Sequence, residues 1–265
     1  MKKYFFILVV FIFFISSCTD TVRPFILSDS DEIALGNKIK NQLISDTKNY
    51  PVYNKNQDVI NYINSLGQKI VSSQPDRKNI PFDFTIINND SVINAFAILG
   101  GHVFIYTGLI KAANSAAELA GVLGHEIGHI TQYHCANRMI EQYGLSTISQ
   151  LIFGNDSSTI RFIAEICANL LFLKFSREDE YQADSASVVY TTLSKYNPKG
   201  LINFFNMLAE KYGGSTGIFE ALSTHPDTDK RINAINRIIN KTPNAQQSDT
   251  TWMYIDEYLN IKAKL

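Results

Sequence analysis

Cysteine is scarce in this chain, and the three that occur, Cys18, Cys135 and Cys167, stand far apart. That spacing excludes the close-set thiolates of a structural zinc site. An excess of either charge is also missing, since Lys plus Arg total 24 against 25 for Asp plus Glu. Without a broad basic field there is no electrostatic hold on a phosphate backbone, which excludes nucleic acid as a partner on charge grounds. Long apolar runs are absent after Ile15. A membrane-spanning helix needs roughly 20 apolar residues, and the long helical stretch expected from Thr159 to Leu193 is interrupted by Arg161, Glu165 and Lys174. There is no internal repeat and no long low-complexity segment.

What remains is a chain of 265 residues, 45% hydrophobic and 18% charged, the proportions of a folded protein with one sizeable core. Its start is distinctive. Lys2 and Lys3 precede an apolar run from Tyr4 to Ile15, and Ile15-Ser16-Ser17-Cys18 follows. A charged start, a short apolar core and small residues before a cut site describe a secretory signal peptide. The tetrad resembles a bacterial lipobox. That resemblance implies removal of residues 1–17, acylation of Cys18 and attachment to a membrane through that lipid, with 18–29 a tether and 30–265 the folded domain. The alternative is a plain signal peptide cut near Ser17. In an oxidising compartment Cys135 and Cys167 could pair. The preferred reading is two small buried residues on apolar helical faces.

Amphipathic helices are expected over Ser30–Ser45 and Gln57–Ser72, the first striped by Leu35, Ile39 and Leu43, the second by Val59, Ile63 and Ile70. From Pro81 the period changes. Phe82, Phe84 and Ile86 alternate with polar neighbours, and Val92–Leu99 and His102–Tyr106 flank Gly100-Gly101 in a hairpin-like pattern. Ser115-Ala116-Ala117-Glu118 has the form of a capping box, placing a helix start at Ala116 and carrying that helix past His134. Further helices are expected over Leu145–Phe153, Thr159–Leu193, Lys199–Tyr212 and Asp227–Asn240.

Inside the helix that starts at Ala116 lies His125-Glu126-Ile127-Gly128-His129. Residues four apart share a helix face, so the two imidazoles can meet one zinc ion while Glu126 stands beside it to activate a water molecule. Such a catalytic site needs three protein ligands and an open fourth position. Glu180 and Asp184 form a second pair one turn apart. Glu180 completes a His₂Glu set for one zinc per chain, and Asp184 is placed to hydrogen-bond the far nitrogen of a ligand histidine. His102 and His134 are read as structural or surface residues, His134 because it lies five positions past His129 and off the ligand face.

The segment Ser176-Arg177-Glu178-Asp179-Glu180-Tyr181-Gln182-Ala183-Asp184 resembles the S-R-x-x-E-x-x-A-D signature of the M48 zinc peptidases. Asn94-Ala95-Phe96-Ala97 with Gly100-Gly101-His102-Val103-Phe104, and Thr224-His225-Pro226 with Arg231, are similar to two further motifs of that family, in its order. Where the family often has proline before the glycine pair, this chain has Leu99. The resemblance implies an α+β fold, mainly helical and zincin-type, with a small sheet beside the metal-binding helix. It further implies that Asn94, Ala95, Phe96 and Gly101 belong to a strand segment that pairs with an extended peptide. His225 would face the metal, stabilising an oxyanion or filling the open position at rest. The compact lipoprotein branch is the most similar part of the family. An endopeptidase of the bacterial cell envelope, acting on extended or misfolded polypeptides and facing the periplasm or outer surface, is the expectation. The alternatives are a lipoprotein chaperone or assembly factor with a regulatory metal site, and a zinc hydrolase with a non-peptide substrate.

Overall fold

The computed structural model describes residues 27–169, 174–212, 228–247 and 250–265. Leu27 is buried and Ser28 caps the first helix, so the folded part already includes the end of the stretch expected as a tether. In α1 (Asp29–Ser45) the Ser28 hydroxyl accepts from the Asp31 N–H at 3.2 Å, and Asp29, Asp31 and Glu32 place negative charge at the positive end of the helix dipole. Leu35, Ile39 and Leu43 turn inward. Asn56 caps α2 (Gln57–Ser73) in the same way, and its buried face carries Val59, Ile63, Leu66 and Ile70.

Three strands follow, β1 (Asp83–Ile87), β2 (Ala95–Ile98) and β3 (His102–Tyr106), in the order β1-β3-β2. β1 runs parallel to β3, with Phe84 opposite Val103, whereas β2 is antiparallel to β3, with Ala97 opposite Val103. Gly100 at φ 79° and Gly101 at φ 94° make the turn between β2 and β3. A Cβ on Gly100 would stand 3.0 Å from Ile33 Cα, so α1 and this turn meet backbone to backbone.

A short helix, α3 (Thr107–Ala112), leads to α4 (Ala116–Thr131), where the Ser115 hydroxyl accepts from the Glu118 N–H at 3.2 Å. Every residue of α4 is buried. It does not run past His134. Tyr133 adopts a left-handed conformation (φ 64°), and α5 (His134–Tyr143) starts anew. The end of α4 is satisfied from outside: Arg77 donates to the Ile130 carbonyl at 3.0 Å, and its guanidinium carbon lies 3.9 Å over the Tyr133 ring.

Two helices, α6 (Leu145–Phe153) and α7 (Ser157–Asn169), then pack against α1. The expected continuous helix to Leu193 is instead broken, because α8 (Arg177–Leu193) has its own start. The Ser176 hydroxyl accepts from the Asp179 N–H at 3.1 Å, and the Asp179 carboxylate accepts from the Ser176 N–H at 2.9 Å. α9 (Gly200–Tyr212), α10 (Thr228–Lys241) and a short helix, α11 (Ile255–Lys262), follow among the described residues. The fold is therefore α+β and mainly helical, with a three-stranded sheet packed beside α4. No helix among the described residues is long and apolar enough to cross a membrane. Cys135 and Cys167 are both buried and free. Burial pushes the Cys135 thiol well up and the Cys167 thiol up to about 12.

Candidate metal centre

α4 and α8 cross unusually close. A Cβ on Gly128 would lie 3.0 Å from Ala183 Cα, and one on Gly124 would lie 3.1 Å from the Ser187 hydroxyl. With no side chain between them, the faces carrying His125 and His129 on one helix and Glu180 and Asp184 on the other are pressed together. His125 Nε2 and His129 Nε2 are 3.1 Å apart. Glu180 reaches them with carboxylate oxygens at 3.4 Å and 3.5 Å. These three side chains form the group of donors suited to a metal ion among the described residues, with one atom of each within 4.8 Å of the others.

The separations test the fit. Four ligands at about 2.0–2.1 Å from a tetrahedral zinc ion lie about 3.3 Å from one another. His125 Nε2 and His129 Nε2 stand close to that edge, at 3.1 Å, and the Glu180 carboxylate faces both of them, with Oε2 3.4 Å from the first and Oε1 3.5 Å from the second. Two imidazole nitrogens and one carboxylate oxygen also suit zinc chemically. All three residues are buried. Glu126, on the same helix and equally buried, stands next to the cluster.

Outside the cluster, Asp184 Oδ1 lies 2.9 Å from His125 Nδ1, which leaves Nε2 as the nitrogen turned to the centre. Arg231, from α10, enters between the carboxylates although it is only 1% exposed. It donates through Nε and Nη2 to both Asp184 oxygens at 2.8 and 2.6 Å, and lies 2.8 Å from Glu180 Oε2 through Nη1. Burial opposes charge on the guanidinium, but the Asp184 and Glu180 charges more than offset it and Arg231 is held charged. Asp184 is the counterpart: burial raises its carboxyl, yet the charge and hydrogen bonds of Arg231, with that of His125, hold it below the usual range. For His125, burial and the Arg231 charge disfavour a proton, while Asp184 and Glu180 favour one and push the ring up to about 9. The same carboxylates favour a metal cation at that nitrogen.

His129 has a different neighbour. Its Nδ1 is 3.0 Å from His134 Nδ1, and the Phe175 ring stacks on it with centroids 3.8 Å apart. The break at Tyr133 swings His134 back toward α4, a placement that counting along a continuous helix misses. His134 is thus buried and in contact with a candidate ligand, and burial lowers its pKa. His102 serves the sheet, with Nδ1 2.6 Å from an Asp83 oxygen.

Peptidase family M48 matches this sequence over residues 55–239. The chain belongs to that family. Among curated relatives, the M48 chain is 31% identical to the beta-barrel assembly-enhancing protease of Yersinia pestis over 204 residues, which are 73% of this chain and 42% of the relative. It is 26% identical to metalloprotease YcaL of Escherichia coli over 231 residues, 83% of this chain and 85% of that one. The mitochondrial metalloendopeptidase OMA1 of Arabidopsis thaliana is 28% identical over 146 residues, 55% of this chain and 29% of the relative. The M48 chain spans less than half the length of the assembly-enhancing proteases it matches.

Of the strand residues singled out in sequence, Asn94 and Ala95 line a small apolar pocket with His125, Glu126 and Phe204. Phe96 stacks on Phe104 at 4.9 Å, inside the core, and Gly101 lies in the β2–β3 turn against Ile80 and Pro81. His225 and Cys18 lie outside the described residues. Arg231 had a signal in the sequence: with Ile235 and Ile239 it falls on the buried stripe of α10, a cation where an apolar residue is the rule. Phe175 had none.

Proposed function

We propose that this M48 chain is a zinc endopeptidase of the bacterial cell envelope, held to a membrane by a lipid on Cys18, that cleaves extended or misfolded polypeptides. The observation that carries this reading is the convergence of His125 Nε2, His129 Nε2 and the Glu180 carboxylate, one donor atom of each within 4.8 Å of the others, beside Glu126. When bound, zinc supplies a Lewis acid that polarises the scissile carbonyl and acidifies water at the site.

The chain's own residues do the rest. Among the described residues β2 pairs with β3 alone, so its other edge offers backbone N–H and C=O groups to an extended peptide. The pocket beside Asn94 and Ala95 then takes a substrate side chain next to the bond to be cut. Glu126 takes a proton from the attacking water at its carboxylate and delivers it to the departing amine nitrogen. Asp184 keeps the His125 proton on Nδ1, and Arg231 compensates the buried carboxylates. His225 either stabilises the oxyanion or fills the open position at rest.

Bound metal and casein cleavage, measured on purified wild type and Glu126→Gln, test the reading. One zinc per chain in both proteins is expected, with cleavage reduced by about 10²–10⁴-fold in the variant, the usual contribution of a positioned base. A variant that cleaves as well as wild type, or a wild type that takes up no zinc, defeats it. The name of the Yersinia pestis relative joins proteolysis with assembly, which favours one second reading, an assembly factor whose metal is regulatory. Client handling that survives unchanged in Glu126→Gln would favour that role.

A further inference from the structure

The two candidate ligand histidines are oriented by unlike partners. His125 has the charged Asp184 behind it, whereas His129 has a neutral-type partner, a third imidazole. The proton positions along that second contact can be worked out. A neutral histidine that offers Nε2 to a metal carries its one proton on Nδ1. At 3.0 Å, His129 Nδ1–H must donate to His134 Nδ1, which is therefore bare. The single proton of a neutral His134 is then on Nε2. That nitrogen faces two acceptors, Gln182 Oε1 at 3.1 Å and Asp179 Oδ1 at 3.6 Å. The Gln182 amide is turned so that its own nitrogen donates to Glu178 Oε1 at 3.2 Å. Each link has one donor and one acceptor, and the direction is the same throughout, from His129 outward to the start of α8.

We infer that His134 is a positioning residue, which accepts the His129 Nδ1 proton and so keeps the His129 Nε2 lone pair turned to the metal centre. This rests on the reading of His125, His129 and Glu180 as the metal-holding group. The segment Ser176–Gln182 thereby has two tasks: Glu180 is itself a donor, and Gln182 and Asp179 fix a tautomer two rings away. Phe175 adds a flat stop against the face of His129, so the ring is held in plane as well as in proton state.

Removing such an outer partner weakens metal retention by about 10–100-fold. His134→Phe keeps a ring but has no acceptor, whereas His134→Asn keeps a carbonyl oxygen. We expect zinc competition against a chelator to show that loss in His134→Phe and partial recovery in His134→Asn, read directly as zinc affinity. Should neither variant fold, long-range ¹H–¹⁵N spectra of the zinc-loaded wild type decide. His134 is expected as the Nε2–H tautomer. A proton on His134 Nδ1, or zinc held as tightly by His134→Phe as by wild type, overturns the inference. A wild type that binds no zinc overturns instead the metal reading on which it rests.

Discussion

Replacing Arg231 by Met should cost the metal-depleted protein about 3–5 kcal/mol, the range for removing one partner of a buried ion pair. Three distances set that expectation. Arg231 grips Asp184 through two contacts of 2.6 and 2.8 Å and Glu180 through one of 2.8 Å, and all three residues are essentially withdrawn from water. Methionine fills much of the volume but removes the guanidinium that both carboxylates hold, leaving His125 as a shared cation between them. Since a chain of this size shifts its midpoint by roughly 2–4 °C per kcal/mol, Tm should fall by about 6–20 °C. Zinc should narrow the gap, because it compensates Glu180. Acid should narrow it as well. Asp184 has a folded pKa below its unfolded value, so its stabilising contribution is complete above the unfolded pKa and fades as pH falls through the folded one. Thermal melts followed by circular dichroism, with chelator and with zinc, at neutral pH and well below about pH 4, give all four comparisons. A loss below about 1 kcal/mol at neutral pH without metal, the range of an exposed pair, would refute the argument.

Three further outcomes are expected. Gly128→Leu should destabilise by about 1–3 kcal/mol through overpacking and weaken zinc binding as well, because its new atoms must displace Ala183 and with it Glu180; unaltered zinc affinity by chelator competition would contradict the role given to the α4–α8 contact. Asp83→Asn should lower Tm at neutral pH, with the difference closing as the pH drops below about 4. Burial raises the Asp83 carboxyl, but hydrogen bonds from His102 and Lys40 hold it lower, so its contribution is present above the unfolded pKa and lost in acid; a gap that widens in acid would reverse that sign. Cys135 and Cys167, both buried with raised thiol pKa values, should resist alkylation at pH near 8 until denaturant is added, as peptide mapping would show, and prompt labelling of either in native protein would count against its placement.

Sequence reading goes furthest where structure is local. The stripes of α1 and α2, the Ser115 cap, the glycine turn and the spacing of His125 and His129 all depend on neighbours within a few residues. The end of α4 is different, because an apolar period continues through Ile130 and only Arg77, from far earlier in the chain, stacks on Tyr133 and satisfies the Ile130 carbonyl. His134 looks displaced from the ligand face for that reason and returns only through the break. The start of α8 was open to local reading, since Ser176 and Asp179 have capping-box spacing, but apolar residues on both sides make the stretch resemble one helix. Phe175 and Arg231 acquire their meaning from α4 and α8, and no periodicity within their own segments states which ring or carboxylate they will meet.

The glycine-lined crossing of α4 and α8 also acts as a spacer for the donor group. Main chain against main chain cannot be squeezed or relaxed as long side chains can, so the approach of the Glu180 helix to His125 and His129 is a fixed dimension of the scaffold. A calcium ion takes about six to eight oxygen ligands, which two imidazoles and one carboxylate do not provide. Two residues outside the donor group, Gly124 and Gly128, thus set how near Glu180 comes to His125 and His129, and lengthening either would spread the donors before it changed any of them.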